Sequence, residues 1–426
     1  MSLAEWLAFV ERQHAKSIDL GLDRVRAVSQ ALGQRQTCPV ILVGGTNGKG
    51  STCAMLERIL LSAGYRVGLY TSPHLLRYNE RVRIDGQAVG DEALCQGFAR
   101  VEAARAATKV SHGGTPLTYF EFGTLCAWEV FATQPLDVII LEVGLGGRLD
   151  ATNIYEPDAA IVTGIDLDHM DYLGPTREHI GFEKAGIFRT GRPAICGDAD
   201  PPQRLIEHAQ SIGADLQVIG RDFGFERQEG QWQFRGRRGK RSSLAFPALR
   251  GEEQFGNASG VLAALDELRD RLPVAMQDIR RGLAEVELTA RFQVLPGRPS
   301  VVLDVAHNPQ AARVLADNLG GSYHPVTWAV FGMLRDKDIA GVVQALKHRI
   351  DRWLPVTLDG PRAATAAELA ATLVAAGVSG PLATFPSPVA AFAYAREQAS
   401  EDDRIIVFGS FLTVADVMRT LGRVAA

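Results

Sequence analysis

The feature that most constrains the fold is an apolar run that breaks into a glycine-rich turn, residues 40–52, VILVGGTNGKGST. Residues 40–43 suit a buried parallel strand, and the apolar spacing after the glycines predicts a helix. Backbone N–H groups at the start of such a helix, reinforced by its dipole, bind phosphate. The segment therefore predicts a site for a nucleoside triphosphate.

The residue types within this loop fit that ligand. Gly45 and Gly48 let the backbone approach closely, and Lys49 supplies a positive charge for the terminal phosphates. Either Ser51 or Thr52 can reach a magnesium ion that accompanies the phosphates.

Two positions depart from the common phosphate-loop pattern. The pattern has glycine where Val43 stands, and Gly50 separates Lys49 from Ser51. We interpret the segment as a variant phosphate loop. The alternative is a strand-to-helix turn with an incidental lysine, and the combination of strand, helix and two hydroxyls disfavours it.

Length and composition predict a soluble protein of two domains. The chain has 426 residues, more than one hydrophobic core usually serves, and 22% of them are charged. Its apolar stretches fall far short of the roughly 20 residues that a membrane helix needs, and the amino terminus lacks the layout of a secretory signal. Five cysteines show no metal or redox spacing. We expect a cytoplasmic protein with no membrane contact.

The charge distribution argues against a nucleic-acid partner. The net charge is −4, so the molecule as a whole does not attract nucleic acid. One segment, residues 235–241, holds five basic residues in seven. We interpret it as a solvated hairpin turn between two short strands, with an anion-binding or nucleic-acid-binding patch as the alternative.

The order of elements predicts an α/β fold. From residue 40 onward, short apolar strands alternate with amphipathic helical segments, which is typical of a mostly parallel sheet covered by helices. Prolines and a glycine interrupt the pattern near residue 296, and the alternation then restarts. We predict a phosphate-loop domain over residues 1–288, a linker over 289–299 and a smaller Rossmann-like α/β domain over 300–426.

Polar residues directly after apolar strands are candidate ligands, because ligands of open α/β sheets bind at the carboxyl ends of the strands. Ser72, Glu142 and His169 occupy such positions and make a plausible magnesium-binding set, although imidazole is an unusual ligand for this ion. The glycine-rich segment 143–147 indicates a backbone that is open to a ligand. Taken singly, Ser72 also fits a turn residue and His169 a capping residue, and Lys184 reads as a solvated helical lysine.

Taken together, these and other segments resemble the folylpolyglutamate synthase and dihydrofolate synthase family of the Mur ligase superfamily, which are ATP-dependent amide-bond ligases. The resemblance spans residues 18–309 and extends to 411. The matching segments are GTNGKG at 45–50, SPHL at 72–75, LTYFE at 117–121, LEVGLGGRLDATN at 141–153, DH at 168–169, EKAGI at 183–187, RF at 291–292, DVAHNP at 304–309 and FGSF at 408–411.

The resemblance implies roles for individual residues. Ser72, Glu142 and His169 would bind one or two Mg²⁺ ions, and Lys184 would be carbamoylated, which gives it a carboxylate-like oxygen near the metal. His307 and Ser410 would act on the incoming glutamate. The residues that would bind ATP are Thr46, Asn47, Gly48, Lys49, Gly50, Ser51, Asn257, Arg291 and Asp304. The residues that would contact the pterin substrate are Asp19, Leu20, Gly21, Thr118, Tyr119, Phe120, Glu121, Leu149, Asp150 and Ala151.

The resemblance also implies the reaction. An acceptor carboxylate attacks the γ-phosphate of ATP, and the amine of L-glutamate then displaces phosphate from the acyl phosphate. Catalysis would come from positioning and charge neutralisation, with Lys49, Lys184, His307 and Ser410 as the active residues. Dihydropteroate, tetrahydrofolates, L-glutamate and ATP are the implied small-molecule partners. A monovalent cation is compatible with this reading, and no long apolar stripe argues against a monomer.

Three alternatives remain at this stage. The first is a folylpolyglutamate synthase without the dihydrofolate synthase activity; the segments 117–121 and 149–151 favour the bifunctional type. The second is a cell-wall amino-acid ligase, which would carry a further amino-terminal domain, whereas only about 39 residues precede the first strand here. The third, from a different class, is a phosphate-loop ATPase switch, which would normally have Asp rather than Glu142 at the strand end.

Overall fold

The computed structural model describes residues 1–16, 18–33, 36–108, 115–379 and 382–422. Two compact units are present. The first comprises residues 1–74, 78–248 and 255–286, and the second comprises 75–77, 249–254 and the described residues from 287 onward. The predicted α/β fold class is confirmed, because each unit contains a mostly parallel sheet flanked by helices.

The first part of the chain provides eleven strands and ten α-helices within its described residues. The strands of its large sheet are β1 (Val40–Gly44), β2 (Val67–Tyr70), β3 (Val82–Ile84), β4 (Gln87–Ala88), β5 (Val138–Glu142), β6 (Ala159–Val162), β7 (Pro193–Cys196) and β8 (Asp215–Val218). A separate small sheet contains β9 (Gly224–Gln228), β10 (Gln231–Gly236) and β11 (Gly239–Leu244). The helices are α1 (Leu3–Glu11), α2 (Asp23–Leu32), α3 (Lys49–Ser62), α4 (Asp91–Ala107), α5 (Tyr119–Ala132), α6 (Met170–Leu173), α7 (Arg177–Ala185), α8 (Gln203–Ser211), α9 (Glu253–Glu267) and α10 (Met276–Glu285). Short 3₁₀-helices span Tyr78–Arg81 and Ala151–Ile154.

The large sheet has the strand order β4-β3-β2-β5-β1-β6-β7-β8. Strands β2, β5, β1, β6, β7 and β8 run parallel, and β3 and β4 form an antiparallel edge. Every residue of β1 and β5 is buried, which explains why these segments are continuous apolar runs rather than alternating ones. The strand that leads into the phosphate loop thus lies in the middle of the sheet, with β5 and β6 as neighbours.

The second unit repeats this architecture on a smaller scale. Its strands are β12 (Gln293–Leu295), β13 (Ser300–Leu303), β14 (Thr327–Phe331), β15 (Arg352–Pro355) and β16 (Arg404–Phe408). Its helices are α11 (Pro309–Gly320), α12 (Ile339–Leu346), α13 (Ala366–Ala375), α14 (Pro388–Gln398) and α15 (Phe411–Thr420). The strand order is β12-β13-β16-β14-β15, and the cores on its two faces contain residues of α11, α12 and α13 and residues of α14 and α15, respectively.

The structure differs from the sequence-based division of the chain at the segment 289–299. This segment was predicted to be a linker, but it contains β12, which pairs antiparallel with β13 as the edge of the second sheet. The prolines and glycine at 296–299 form the turn between these two strands rather than a connection between domains. A three-residue strand has too few residues to show a period-2 pattern.

The basic segment 235–241 forms the turn of the β10–β11 hairpin, as the first interpretation of its sequence predicts. Three of its arginines are paired with carboxylates: Arg237 with Asp215 at 2.7 Å, Arg238 with Glu267 at 2.7 Å, and Arg241 with Asp266. These pairs neutralise much of the local positive charge, which weakens the alternative of an anion-binding patch. Among the described residues, no helix is both long and apolar enough to cross a bilayer.

Candidate active site

The phosphate loop connects β1 to α3 at the centre of the large sheet. The backbone at Gly45 and Gly48 has φ of +143° and +89°, which residues other than glycine rarely adopt. Helix α3 begins at Lys49, so its first N–H groups border the loop, as predicted. Register pairs Val43 with Glu142 on β5 and Gly44 with Val162 on β6.

A second loop, which follows β6, holds the phosphate loop in place. The Thr163 hydroxyl donates to the Asn47 carbonyl at 2.6 Å, and the Thr46 N–H donates to the Gly164 carbonyl at 2.8 Å. The Thr46 hydroxyl donates to the Asp166 carbonyl at 3.0 Å. Thr46 and Asn47 are thus fixed by protein contacts before any ligand is considered.

Neighbouring side chains also require the two glycines. A Cβ at Gly45 would lie 1.7 Å from the Thr163 hydroxyl, and one at Gly48 would lie 2.6 Å from the side-chain oxygen of Asn257. The second contact places Asn257, on α9, directly beside the loop. Sequence reasoning linked this residue to ATP only through the family resemblance, and the structure brings it to the loop.

The positive charge of the loop is held by its own carbonyls. The Lys49 ammonium donates to the carbonyls of Gly45 at 3.0 Å and Thr46 at 3.2 Å. One turn into α3, Ser51 is buried, and Thr52 is completely buried with its hydroxyl making no hydrogen bond to any residue that the structure describes. An orphaned buried hydroxyl is uncommon and marks a place where a ligand or water completes the site.

The predicted metal-binding residues lie at strand ends along one edge of the sheet. The Ser72 N–H donates to a Glu142 carboxylate oxygen at 3.1 Å, and Glu142 is only 5% exposed. His169 follows β6 and precedes α6 with φ of +51°, and its N–H donates to the Asp168 carboxylate at 2.9 Å. Within the described ranges, no cluster of three or more His, Cys, Asp or Glu residues is able to hold a metal ion.

Lys184 differs most from its interpretation as a solvated lysine. It lies at the end of α7 and is 3% exposed. Burial, together with the positive charge of Lys49, lowers the pKa of Lys184 to about 7, while Asp168 and Asp150 act in the opposite direction. The two lysines therefore share one electrostatic environment.

Two glycines of the segment after β5 are required by close packing against protein. A Cβ at Gly147 would lie 2.8 Å from the Glu183 carbonyl, and one at Gly144 would lie 2.5 Å from the ring of Phe120. These glycines allow the segment to pack against α7 and the start of α5. Tight packing against α7 also positions the backbone that carries Lys184.

Three segments predicted to contact the pterin are adjacent in the structure. Arg24 forms ion pairs with Asp19 at 2.6 Å and with Glu121 at 3.1 Å, so it joins the first segment to the second. The packing of Phe120 on Gly144 joins the second to the loop that leads to Leu149. Leu20, Gly21, Tyr119 and Ala151 lie within these segments.

Some of the predicted pterin residues have structural tasks of their own. Thr118 and Glu121 form a capping box at the start of α5, with the Thr118 N–H donating to Glu121 at 2.7 Å. Asp150 is buried and accepts hydrogen bonds from the Thr152 hydroxyl at 2.6 Å and the Leu145 N–H at 2.9 Å. Burial raises the pKa of Asp150. These carboxylates shape the segment, and their contact with a pterin stays a prediction.

In the second unit Asp304 and His307 follow β13, and Ser410 follows β16, its neighbour in the sheet. Arg291 precedes β12, which pairs antiparallel with β13. Asp304 accepts hydrogen bonds from the N–H groups of Phe292 and Ala306, both at 2.7 Å. The Arg291 guanidinium lies 5.3 Å from the ring centre of Phe411, and the His307 ring lies 6.3 Å from the same ring.

Two of these groups are held by backbone atoms. A ring nitrogen of His307, Nδ1, lies 2.8 Å from the Val305 carbonyl, which makes it the donor and fixes the tautomer. Ser410 is the N-cap of α15, and its hydroxyl accepts a hydrogen bond from the Leu412 N–H at 3.2 Å. The arrangement gathers an imidazole, a hydroxyl, a guanidinium and a carboxylate around one sheet edge.

Sequence reasoning missed two residues. Thr163 directly follows β6, as a polar residue at the carboxyl end of a strand, and the strand-end rule applied consistently would have found it. Arg24 gives no such signal, because an arginine in the first turn of an amphipathic helix is ordinary in a sequence. Only the fold shows that it contacts a residue 97 positions away.

Comparisons with known proteins agree with this geometry. Residues 100–259 match the Mur ligase middle domain, and residues 290–411 match the Mur ligase glutamate ligase domain. The chain is 46% identical to the dihydrofolate synthase/folylpolyglutamate synthase of Escherichia coli K12, over 98% of this chain and 95% of that protein.

Solved structures give the same result. A structure of E. coli FolC in complex with DHPP and ADP superimposes with a TM-score of 0.92 at 45% identity, covering 99% of this chain and 98% of that one. A bifunctional folylpolyglutamate synthase/dihydrofolate synthase with Mn, AMPPNP and L-glutamate bound gives 0.91 at 43% identity, covering 99% and 98%. The chain belongs to the dihydrofolate synthase/folylpolyglutamate synthase family of Mur ligases.

Proposed function

We propose that this protein uses ATP to attach L-glutamate to the carboxylate of 7,8-dihydropteroate, forming dihydrofolate, and to the γ-carboxylate of tetrahydrofolates. The observation that carries the proposal is the similarity over nearly the full length to proteins named for both activities. The phosphate loop beside Glu142 and Lys184 supports the phosphoryl-transfer half of the reaction.

ATP would bind along the start of α3. The N–H groups from Asn47 to Ser51 lie at the start of α3, and Lys49 would exchange its bonds to loop carbonyls for the terminal phosphates. The contact between Gly48 and Asn257 supports a place for the base or ribose beside α9. Arg291 and Asp304 of the second unit are proposed as further nucleotide contacts.

The residues present fit a magnesium ion. The Ser72 backbone N–H donates to a Glu142 carboxylate oxygen at 3.1 Å, which brings the two residues together, and the buried Thr52 hydroxyl has no protein partner in the described chain. A set of one carboxylate, one hydroxyl and His169 leaves coordination places that Mg²⁺ usually fills with phosphate oxygens and water. The ion would neutralise charge on the transferred phosphoryl group. One or two such ions, and any monovalent cation, remain proposals.

Lys184 is proposed to be carbamoylated. A buried ammonium beside Lys49 is unfavourable, and its neutral form is the nucleophile that attacks CO₂. The neutral amine forms one N–C bond to CO₂ as one C–O π bond opens, and one proton leaves. Counted from the ammonium, which first loses a proton, two protons are released, so a cation becomes an anion that pairs with Lys49 or the metal. The change would relieve the repulsion between the two lysines.

The reaction then needs little covalent participation by the protein. An acceptor carboxylate oxygen attacks the γ-phosphorus and ADP leaves, which gives an acyl phosphate. The glutamate amine attacks the acyl carbon, phosphate leaves, and one proton is released as the amide forms. Catalysis comes from alignment and from charge neutralisation by Lys49.

The acceptor and glutamate would use different segments. The adjacency of Asp19, Phe120 and Leu149 segments in the first unit supports a pterin site there. His307 and Ser410, at adjacent strand ends of the second unit, are proposed to receive L-glutamate. We accordingly propose an ATP-binding and acceptor-binding domain over about residues 1–288 and a glutamate-ligase domain over the remainder, with 289–299 belonging to the latter's sheet.

The test is a product assay on the purified full chain. Protein, ATP, Mg²⁺ and L-glutamate are incubated with dihydropteroate or with tetrahydrofolate, and products are identified by mass. We expect a gain of one glutamate with each acceptor. Elongation of tetrahydrofolate without product from dihydropteroate would establish the monofunctional alternative. ADP release that needs neither acceptor nor glutamate would instead indicate an ATPase switch.

A further inference from the structure

Arg81 is a buried cation that the roles described so far do not use. It closes the 3₁₀-helix Tyr78–Arg81 that follows the β2 strand end, and it is only 9% exposed. Its Nε donates to Nδ1 of His74 at 2.9 Å. Because this nitrogen accepts, a neutral His74 carries its proton on Nε2.

Aromatic rings hold the guanidinium. Its central carbon lies 5.3 Å from the ring centre of Tyr78 and 5.4 Å from that of Tyr119, and the two rings are perpendicular at 5.9 Å. Contacts of this kind stabilise a guanidinium and fix its plane. They do not supply the negative charge that a buried cation needs.

No carboxylate of the described chain pairs with Arg81, and its Nη1 and Nη2 atoms donate to no described residue. The neighbouring arginines behave differently: Arg83 pairs with Glu57 at 3.2 Å, and Arg100 pairs with Glu129 at 2.8 Å. A buried charge without a counter-ion is costly unless a ligand completes it. Two parallel N–H groups of a guanidinium match the two oxygens of a carboxylate.

The surroundings indicate which anion is expected. Tyr119, which contacts the guanidinium, belongs to the predicted pterin segment. His74 lies two residues after Ser72, whose N–H contacts Glu142 beside the phosphate loop. Arg81 thus contacts the acceptor segment through Tyr119 and, through His74, the segment that follows the β2 strand end.

We propose that Arg81 binds the reacting carboxylate of the acceptor, with His74 holding the guanidinium in orientation. This inference rests on the proposed function, since it names the group that receives the acceptor acid. A phosphate of ATP would satisfy the same guanidinium, but the contact with Tyr119 favours the acceptor. Arg81 acts as a binding and positioning residue and transfers no proton.

The experiment compares two ligands against two proteins. The ligands are dihydropteroate and the same pterin–aniline compound lacking the carboxyl group, and affinity is measured by calorimetry with Mg²⁺ and ADP present. We expect the wild type to bind the acid about 10- to 100-fold more tightly, the range for a charged bidentate contact. Arg81→Met should bring this ratio close to one and leave the affinity for ADP within about twofold.

Arg66→Met is the matched control. Arg66 is a half-exposed arginine next to β2 that pairs with Asp85 at 3.4 Å, and its loss should leave the ligand ratio unchanged. Arg81→Lys keeps the charge but not the fork, so it should give an intermediate ratio. Thermal unfolding of each variant reports whether it folds.

Several outcomes would overturn the inference. The inference is wrong if Arg81→Met folds and still binds dihydropteroate more tightly than the compound without the carboxyl group. It is also wrong if the substitution changes only the affinity for ADP, because Arg81 would then bind the nucleotide. If the variants do not fold, the wild type is measured alone. Equal affinity of the wild type for the two ligands would show that no residue binds the acceptor carboxylate and would refute the inference. Dihydrofolate formation by the wild type is measured separately, so equal affinity of the wild type for the two ligands, together with intact synthesis, refutes only the role of Arg81.

Discussion

The strand ends of the two sheets carry similar residue types but differ in how those residues are satisfied. In the first unit, Lys49 and Lys184 repel each other, and the Thr52 hydroxyl is buried without a described partner. In the second unit, Ser410 caps a helix and Asp304 accepts two backbone N–H groups. The strand ends of the first unit carry positive charge and a buried hydroxyl that a bound anion or metal ion would satisfy. In the second unit, backbone N–H groups already satisfy the polar side chains.

Removing the charge of the phosphate loop should have the largest effect. Lys49→Ala is expected to lower product formation by at least about 1,000-fold with either acceptor, because the transferred phosphoryl group loses a fixed positive charge. Turnover is measured from ADP release and product mass. Lys240→Ala, on the exposed hairpin, is the control and should keep full activity. Retained turnover in Lys49→Ala would contradict the view that the strand ends of the first unit depend on charge interactions with the ligand.

Lys184→Met should change stability and activity in opposite directions. A pKa lowered from 10.5 to about 7 corresponds to an upper limit of about 5 kcal/mol, at ~1.4 kcal/mol per unit. We expect the variant to lose activity but to unfold with a free energy roughly 2 to 3 kcal/mol higher at pH 7 in CO₂-depleted buffer without Mg²⁺ or ATP.

The pH dependence of this gain has a definite sign. The folded pKa of Lys184 lies below the unfolded value, so the folded state bears the full cost below pH 7. Between pH 7 and about 10.5 the unfolded chain binds the proton and the folded protein does not. Wild-type stability therefore rises relative to that of Lys184→Met with increasing pH. Urea unfolding at pH 7 and pH 9.5 measures how far the difference in unfolding free energy between the two proteins decreases. A constant difference would contradict the assigned cause.

Thr163→Val tests whether the loop after β6 pre-orders the phosphate loop. The variant keeps the volume of the side chain but removes the donor to the Asn47 carbonyl. We expect a loss of about 1 to 3 kcal/mol in unfolding free energy and a KM for ATP raised about tenfold, with the KM for glutamate unchanged. Thr413→Val, which removes a buried hydroxyl contact to Gly332 in the second unit, is the control for stability. An unchanged KM for ATP would mean that the hydrogen bond from Thr163 to the Asn47 carbonyl is not needed for ATP binding.

The smallest effect is expected from the caps of the second unit. Ser410→Ala and Asn308→Ala each remove an N-cap contact, to Leu412 and Ala311 respectively, and should each cost about 1 kcal/mol of stability. If Ser410 also receives glutamate, its variant alone should raise the KM for glutamate. Equal kinetic effects would assign Ser410 to capping only.

Much of this arrangement was predictable because strand-end position and residue type are local properties. The loop at 45–50 and Glu142 follow from the pattern of apolar strands, and the structure brings Ser72 and Glu142 together as that pattern predicts. The burial of Lys184 was not predictable from the sequence of α7, because the elements that pack against this helix decide which of its side chains are buried. The resemblance, rather than periodicity, indicated its importance.

Contacts of large sequence separation explain the other omissions. Arg24 and Glu121, or Gly45 and Thr163, meet only after the sheet order is set. The glycines at 144 and 147 were read as an opening for a ligand, but sequence cannot distinguish a close ligand from a close helix. Strand β12 was missed because a three-residue edge strand is too short to show periodicity.

Strand β12 has a practical consequence for dissecting the protein. A fragment cut at residue 300, where the sequence first suggests a domain start, would leave unpaired the backbone N–H and C=O groups of β13 that face β12, while those that face β16 stay paired. Such an edge invites pairing with other chains. A fragment that begins at residue 287 keeps this cover, so we expect the longer piece to stay monomeric in gel filtration and the shorter one to aggregate.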